Sequence, residues 1–233
     1  MPGRLFALGD IHGYPAPLDA VVEAAQIGPD DTLVTLGDYV DRGPNSRRVI
    51  DRLIALESRC RLVPLRGNHD LMFIEALNVL DDDPKRLVEF WNEPLLRVWA
   101  QCGGLETIES YGALEDVPPE HRAFLNRLVN WHETDQLLFM HANYDPRLPM
   151  ASQPTDLLYW TSLHHHVPDR HHSGKTAIVG HSSQKDGEVL DLGHVVCIDT
   201  YCYGGGWLTL LDLHSGQLWQ ADRRGQLRSV PAT

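Results

Sequence analysis

The sequence predicts an α/β fold in which a parallel sheet is joined by a second sheet and interrupted by a helical insertion. Three observations carry this reading. Apolar runs that end in glycine-led polar clusters recur three times before residue 71, helical periodicities fill the gaps between them, and short turn-bounded apolar runs resume beyond residue 133. At 233 residues the chain is long enough for one substantial core, so a single domain over 1–233 is expected.

The three runs are Leu5–Gly9 before Asp10, Leu33–Leu36 before Gly37-Asp38, and Leu62–Leu65 before Arg66-Gly67-Asn68-His69-Asp70. Each reads as a strand followed by a loop. Between them, Leu18, Val21, Val22 and Ala25, then Val49, Ile50, Leu53, Ile54 and Leu56, recur at helical spacing. The pattern is β-α-β-α-β, which implies parallel strands and right-handed crossovers. From about Leu71 to Glu133 the character changes. Helical patterns run through Met72–Leu80, Arg86–Cys102 and His121–Val129, broken by Asp81-Asp82-Asp83-Pro84 and Val117-Pro118-Pro119, which defines the insertion (about 71–133). The later runs, Leu137–Met140, Thr176–Val179, Val195–Ile198, Trp207–Leu213 and Gln217–Gln220, predict a second, mainly antiparallel sheet packed on the first.

Composition narrows the function. A hydrophobic fraction of 42% with 22% charged residues is that of an ordinary folded protein. The net charge of −12 excludes a nucleic-acid binder that works through a basic face. It would also repel a phosphorylated substrate unless bound cations reverse the field locally. The N-terminal apolar stretch is cut short by Gly9 and Asp10, too short for a secretory segment or a membrane span, so a cytoplasmic location with no membrane partner is expected. Cys60, Cys102, Cys197 and Cys202 show no CxxC spacing and read as reduced packing residues.

The loop tips carry Asp10 and His12, then Asp38, Asp41 and Arg42, then Arg66, Asn68 and His69, then His141 and His181. All follow strand-like runs, and groups just past the carboxyl ends of parallel strands converge on one crevice. Aspartate, asparagine and imidazole together suit manganese, iron or zinc better than calcium. Asp38 is the best candidate to bridge two cations about 3.5–4 Å apart. Singly, each residue reads as readily as a turn aspartate or a structural histidine. Jointly, they read as a site.

The strings Gly-Asp-Ile-His-Gly at 9–13, Gly-Asp-Tyr-Val-Asp-Arg-Gly at 37–43, Arg-Gly-Asn-His-Asp at 66–70, Met-His-Ala at 140–142 and Val-Gly-His at 179–181 stand in this order. Together they resemble the calcineurin-like metallophosphoesterase superfamily, and the Tyr-Val-Asp-Arg-Gly version resembles its phosphoprotein phosphatase branch, over about residues 5–213. The resemblance implies a four-layer α/β/β/α sandwich and two divalent metal ions, manganese first with iron or zinc as alternatives. It implies Asp10, His12 and Asp38 as ligands of one ion and Asp38, Asn68, His141 and His181 as ligands of the other. It implies His69 as general acid oriented by Asp41, Arg42 and Arg66 as phosphate ligands, and direct attack on phosphorus by a hydroxide bridging the metals.

The expected function is hydrolysis of phosphoserine and phosphothreonine in proteins. The alternative is hydrolysis of a dinucleoside polyphosphate, of the diadenosine tetraphosphate type, or of another small phosphoester. A metal-binding interaction module without catalysis is the remote alternative, and His69 beside Asp41 speaks against it. Three positions depart from the family pattern. Asn143 and Tyr201 stand where glycine is usual, and Thr161 stands where an arginine follows tryptophan. Asn143 is expected to take a left-handed turn and add a donor to the cleft or narrow it. Arg170, Lys175 or His164–His166 are candidates to replace the missing arginine. Ser173-Gly174-Lys175-Thr176 only resembles a phosphate loop, because a strand pattern follows it.

Overall fold

The computed structural model describes residues 3–82 and 94–228. In the first sheet, β1 (Leu5–Leu8), β2 (Thr32–Thr35) and β3 (Arg61–Pro64) run parallel, with Leu5 opposite Thr32 and Thr32 opposite Arg61. The crossovers are α1 (Pro15–Ala24) and α2 (Ser46–Leu56). Pro15 suits the first turn of α1, where an N–H would lack a helical acceptor anyway. Of the stripes read from the sequence, Leu18, Val21, Val22 and Ala25 around α1 and Val49, Ile50, Leu53 and Leu56 on α2 are buried, and Ile54 packs partly buried against the same cluster.

Strand periodicity divides the core. Phe6 and Leu8 point into the cluster that receives α1 and α2, while Ala7, Val34, Leu36 and Leu65 face the second sheet. That sheet contains β4 (Trp131–Glu133), β5 (Leu137–Met140), β6 (Thr176–Val179), β7 (Leu190–Asp191) and β8 (Val195–Cys197), ordered β4-β5-β6-β8-β7. Phe139, Ile178 and Ile198 meet the first sheet across the shared layer. Leu138, Met140, Ala177 and Val179 face the far side, where Leu158 and Tyr159 of a short helix, residues Thr155–Trp160, cover them. The result is helices, sheet, sheet, helix: the four-layer α/β/β/α sandwich.

Three expectations are corrected. The second sheet is not mainly antiparallel, since its central strands β5, β6 and β8 are parallel and only the edge strands β4 and β7 run against them. The links across residues 141–175 and 180–194 are long enough for crossovers, which a parallel pair requires. The last two apolar runs, β9 (Leu208–Asp212) and β10 (Leu218–Ala221), return to the first sheet and pair antiparallel beside β1, giving the order β10-β9-β1-β2-β3. The helical stretch also has different ends. Its first helix, α3, spans Asn68–Asp82 and so starts on a candidate ligand, whereas Trp131–Glu133 is strand. Further helices lie at Pro94–Trp99, Leu105–Tyr111 and Pro119–Asn126, with a kink across Ala100–Gly104 where Gly103 takes a non-helical φ of 106°. The pattern expected from Arg86 to Glu93 and the Asp83-Pro84 break lie outside the described residues.

Candidate active site

Each candidate sits at the carboxyl end of a parallel strand. Asp10 and His12 follow β1, Asp38 to Arg42 follow β2, Asn68 and His69 open the helix after β3, and His141 and His181 follow β5 and β6. Asp38 is central. Its Oδ2 lies 3.4 Å from His12 Nε2, its Oδ1 lies 3.4 Å from His141 Nε2, and Oδ1 accepts the His69 N–H at 3.0 Å. His12 and His69 gather on one side of it, His141 and His181 on the other. A Cβ on Gly67 would stand 2.1 Å from Asp38 Oδ1, so only glycine lets the strand ends approach this closely.

The ring tautomers follow from their partners. His12 Nδ1 donates to the Val40 carbonyl at 3.0 Å, His141 Nδ1 to the Leu36 carbonyl at 2.8 Å, and His181 Nε2 to the Trp160 carbonyl at 3.2 Å. The opposite nitrogens therefore present lone pairs. His141 Nε2 and His181 Nδ1 each lie 3.0 Å from Asn68 Oδ1, which is also an acceptor. Lone pairs facing one another with no proton between them form a cradle for a cation. Burial holds His12 below its ordinary pKa and, with His141 nearby, brings His181 to about 4, so both are neutral as ligation requires. Burial, Asp199 and Asp38 raise Asp10, a like-charge crowding that bound cations would relieve. The Asp10 carboxylate accepts the His181 N–H at 3.1 Å, which ties the two sheets together at the site. The residues present thus fit divalent ions.

On the His12 side a guanidinium supplies positive charge. Arg42 donates from Nη1 to His12 Nε2 at 3.0 Å and from Nη2 to His69 Nε2 at 2.9 Å. His69 Nδ1 donates to Asp41 Oδ2 at 2.7 Å. Burial opposes charge on His69, but the carboxylates of Asp38 and Asp41 outweigh it and raise its pKa. Asp41 also accepts from Trp99 Nε1 at 3.0 Å and Thr107 Oγ1 at 2.7 Å, so the helical stretch holds the carboxylate that orients His69. His12, Asp38, Asp41, Arg42 and His181 all take positive φ, between 47° and 71°. Such backbone is sparsely populated by non-glycine residues and collects at functional sites.

Arg66 makes no hydrogen bond to these rings among the described contacts. Its Nη2 donates to the Leu128 carbonyl at 3.3 Å, and its Nε, like the Tyr159 hydroxyl, is buried without a hydrogen-bond partner among the described residues. Asn143 also departs from expectation: it is fully buried, has no positive φ, and bonds the His166 carbonyl (2.9 Å) and the Tyr144 N–H (2.8 Å). It braces a loop and offers the cleft no donor. Tyr201 takes the left-handed φ of 64° where glycine is usual. Lys175 pairs with Glu133 and Arg170 Nη1 donates to the Gly174 carbonyl, so both are engaged elsewhere, whereas His164 Nε2 donates to the Ser183 carbonyl.

The motifs do not mark Asp70 as a site residue, yet its carboxylate accepts the N–H groups of Asp38 (2.8 Å), Tyr39 (3.0 Å) and Gly67 (2.9 Å). It clamps the Asp38 loop onto the start of α3. Asp70→Ala is expected to leave these buried donors unpaired and cost about 3 kcal/mol or more, read as a lowered thermal midpoint. A midpoint equal to wild type would remove Asp70 from this role.

Two facing sheets with carboxylates, imidazoles and an arginine at their parallel strand ends are the architecture of a metal-dependent phosphoesterase. The chain belongs to the calcineurin-like phosphoesterase family, whose model matches residues 3–205. It is 26% identical to a symmetrical bis(5'-nucleosyl)-tetraphosphatase of Bordetella pertussis, over 94% of this chain and 96% of that one. A protein of the same name from Pseudomonas entomophila is 24% identical, over 93% of each. Among solved structures, a candidate diadenosine tetraphosphatase superposes with TM-score 0.69 at 20% identity, covering 95% of this chain and 94% of that one. A cold-active protein-tyrosine phosphatase of Shewanella gives TM-score 0.64 at 16% identity, covering 97% and 80%; these likenesses bear on fold. No described helix is long and apolar enough to cross a membrane, and all four cysteines are free.

Proposed function

We propose that this protein hydrolyses dinucleoside polyphosphates symmetrically, splitting the tetraphosphate chain at its central bridge into two nucleoside diphosphates. The observation that carries this reading is its end-to-end likeness to tetraphosphatases of that specificity, 94% of this chain against 96% of theirs. It displaces the phosphoprotein substrate expected from the motifs, which becomes the competing arm of the test.

Asp10, His12 and Asp38 would hold one ion, and Asp38, Asn68, His141 and His181 would hold the second. Manganese, iron or zinc bound there would supply charge neutralisation and an activated water for attack at phosphorus. Asp38, facing both histidine pairs, fixes the spacing of the two halves. Arg42 contributes N–H donors to the phosphoryl oxygens, and it already points two of them into the His12 and His69 side. His69 delivers a proton from Nε2 to the departing oxygen, with Asp41 holding the ring. Arg66, whose Nη2 is engaged by the Leu128 carbonyl and whose Nε has no described partner, would serve a further phosphate of the chain. Cytoplasmic residence accords with a nucleotide substrate.

A panel of diadenosine tetraphosphate, phosphopeptides and an aryl phosphate, each with added manganese, tests the proposal. The expected result is ADP as the nucleotide product and preferred turnover of the tetraphosphate, abolished by chelation and restored by manganese. Production of AMP with ATP, or preference for phosphopeptides, would overturn it.

A further inference from the structure

Arg42 reaches the imidazoles from an unusual backbone, with φ 67°, in a place where nothing acidic pairs with its guanidinium among the described contacts. What holds it is aromatic. The guanidinium carbon lies 3.9 Å above the ring centre of Tyr203, close enough for a strong cation–π contact. The same ring meets His12 edge-on, with centroids 4.9 Å apart, and Tyr201 braces it from another side, also at 4.9 Å. From the helical stretch, the Gly103 carbonyl accepts the Arg42 N–H at 3.1 Å. Gly103 has φ 106°, and a Cβ there would stand 2.5 Å from Arg42 N and 2.9 Å from its Cγ. Arg42 is therefore confined between the kink glycine of residues 100–104 and an aromatic face from the loop after β8.

We infer that Tyr203 is a positioning residue for Arg42: its ring holds the guanidinium over the His12 and His69 side of the site, from where its N–H donors turn to a phosphoryl group once His12 Nε2 is engaged by a cation. A carboxylate in this place would neutralise Arg42 and weaken its pull on an anion. An aromatic face fixes direction and leaves all five N–H donors and the full charge available. The left-handed Tyr201 fits this role, because that turn brings residue 203 back over the site. The inference rests on the proposed role of Arg42 as a phosphate ligand, and it does not depend on which phosphorylated substrate is used.

The test is the affinity of the manganese-supplemented protein for inorganic phosphate, measured by titration calorimetry, which needs no turnover. Tyr203→Leu is expected to weaken phosphate about three- to tenfold, the range of one partly exposed cation–π contact, while Tyr203→Phe keeps wild-type affinity. Arg42→Ala is expected to weaken it further, and adding Tyr203→Leu to Arg42→Ala should change nothing more. Thermal midpoints measured alongside report whether each variant is folded. If Tyr203→Leu binds phosphate normally while Arg42→Ala does not, the positioning role is overturned and the Arg42 reading stands. If Arg42→Ala binds normally, both fall. If Tyr203→Leu weakens phosphate equally with and without Arg42, or Tyr203→Phe fails to keep affinity, the ring acts by another route and the inference fails.

Discussion

Asp38→Asn is expected to lose one of two bound metal ions and to lower kcat/KM by at least about a thousandfold, the rate equivalent of several kcal/mol of charge stabilisation. The geometry says which ion goes. Asp38 Oδ1 accepts the His69 N–H, so the asparagine would keep its carbonyl oxygen there, toward His141. Its amide nitrogen would then take the Oδ2 position and present protons to the His12 lone pair. That side loses both the charge and the acceptor a cation needs, whereas Asn68, His141 and His181 keep their converging lone pairs. Elemental analysis of protein purified with manganese should fall from about two ions per chain to about one. A variant with full metal content and normal activity would remove Asp38 from the bridging role.

Much of this arrangement is legible in the sequence because strand ends and metal ligands both leave local marks. An apolar run followed by Gly-Asp or Gly-Asn-His places a carboxylate or imidazole at a sheet edge, and the sandwich collects such edges in one crevice. What surrounds the ligands is not local. Asp41 is held by Trp99 and Thr107, which lie 58 and 66 residues further along the chain, inside helical patterns that read as ordinary packing. Tyr203 over Arg42 is likewise a contact between loops from opposite parts of the chain. Sheet direction leaves no local mark for a related reason. Short apolar runs look alike whether their neighbours run parallel or antiparallel, and only the length of the intervening link, as at 141–175, carries the difference. Asn143 shows the reverse case, a departure that suggests altered recognition and proves to be a buried loop brace.

The helical stretch is more than a cover on the first sheet. It supplies Trp99 and Thr107 to Asp41, Gly103 to Arg42, and the Asn68 and His69 pair at the head of its first helix. Strand ends position the proposed metal ligands, and this stretch fixes Asp41 and Arg42, the groups proposed to orient the acid and to bind phosphate. A kink at Gly103, whose φ of 106° is not helical, lies between these contacts, and backbone of this kind collects at functional sites.

His69→Asn is expected to separate substrates by their leaving groups. His69 donates its Nδ1 proton to Asp41, so Nε2, which accepts from Arg42 here, is the nitrogen that can carry a proton to the departing oxygen once that guanidinium turns to the phosphoryl group. An alkoxide leaving group needs that proton in the transition state and should lose about 10²–10⁴-fold in kcat, the usual contribution of a positioned acid. A nitrophenolate leaves readily without it and should lose about tenfold or less. In a series of aryl phosphates the dependence of log kcat on leaving-group pKa should be shallow for the wild type and steep for the variant. The carboxylates of Asp38 and Asp41 raise the His69 pKa, and bound cations would cancel the share of Asp38, leaving Asp41 as the partner that keeps the acid form populated. The acid form exists below that pKa, so Asp41→Asn, by lowering it, should move the alkaline limb of the rate profile to lower pH. Parallel leaving-group slopes in wild type and His69→Asn would show that the proton comes from elsewhere and that the buried His69 and Asp41 pair serves only to hold the loop.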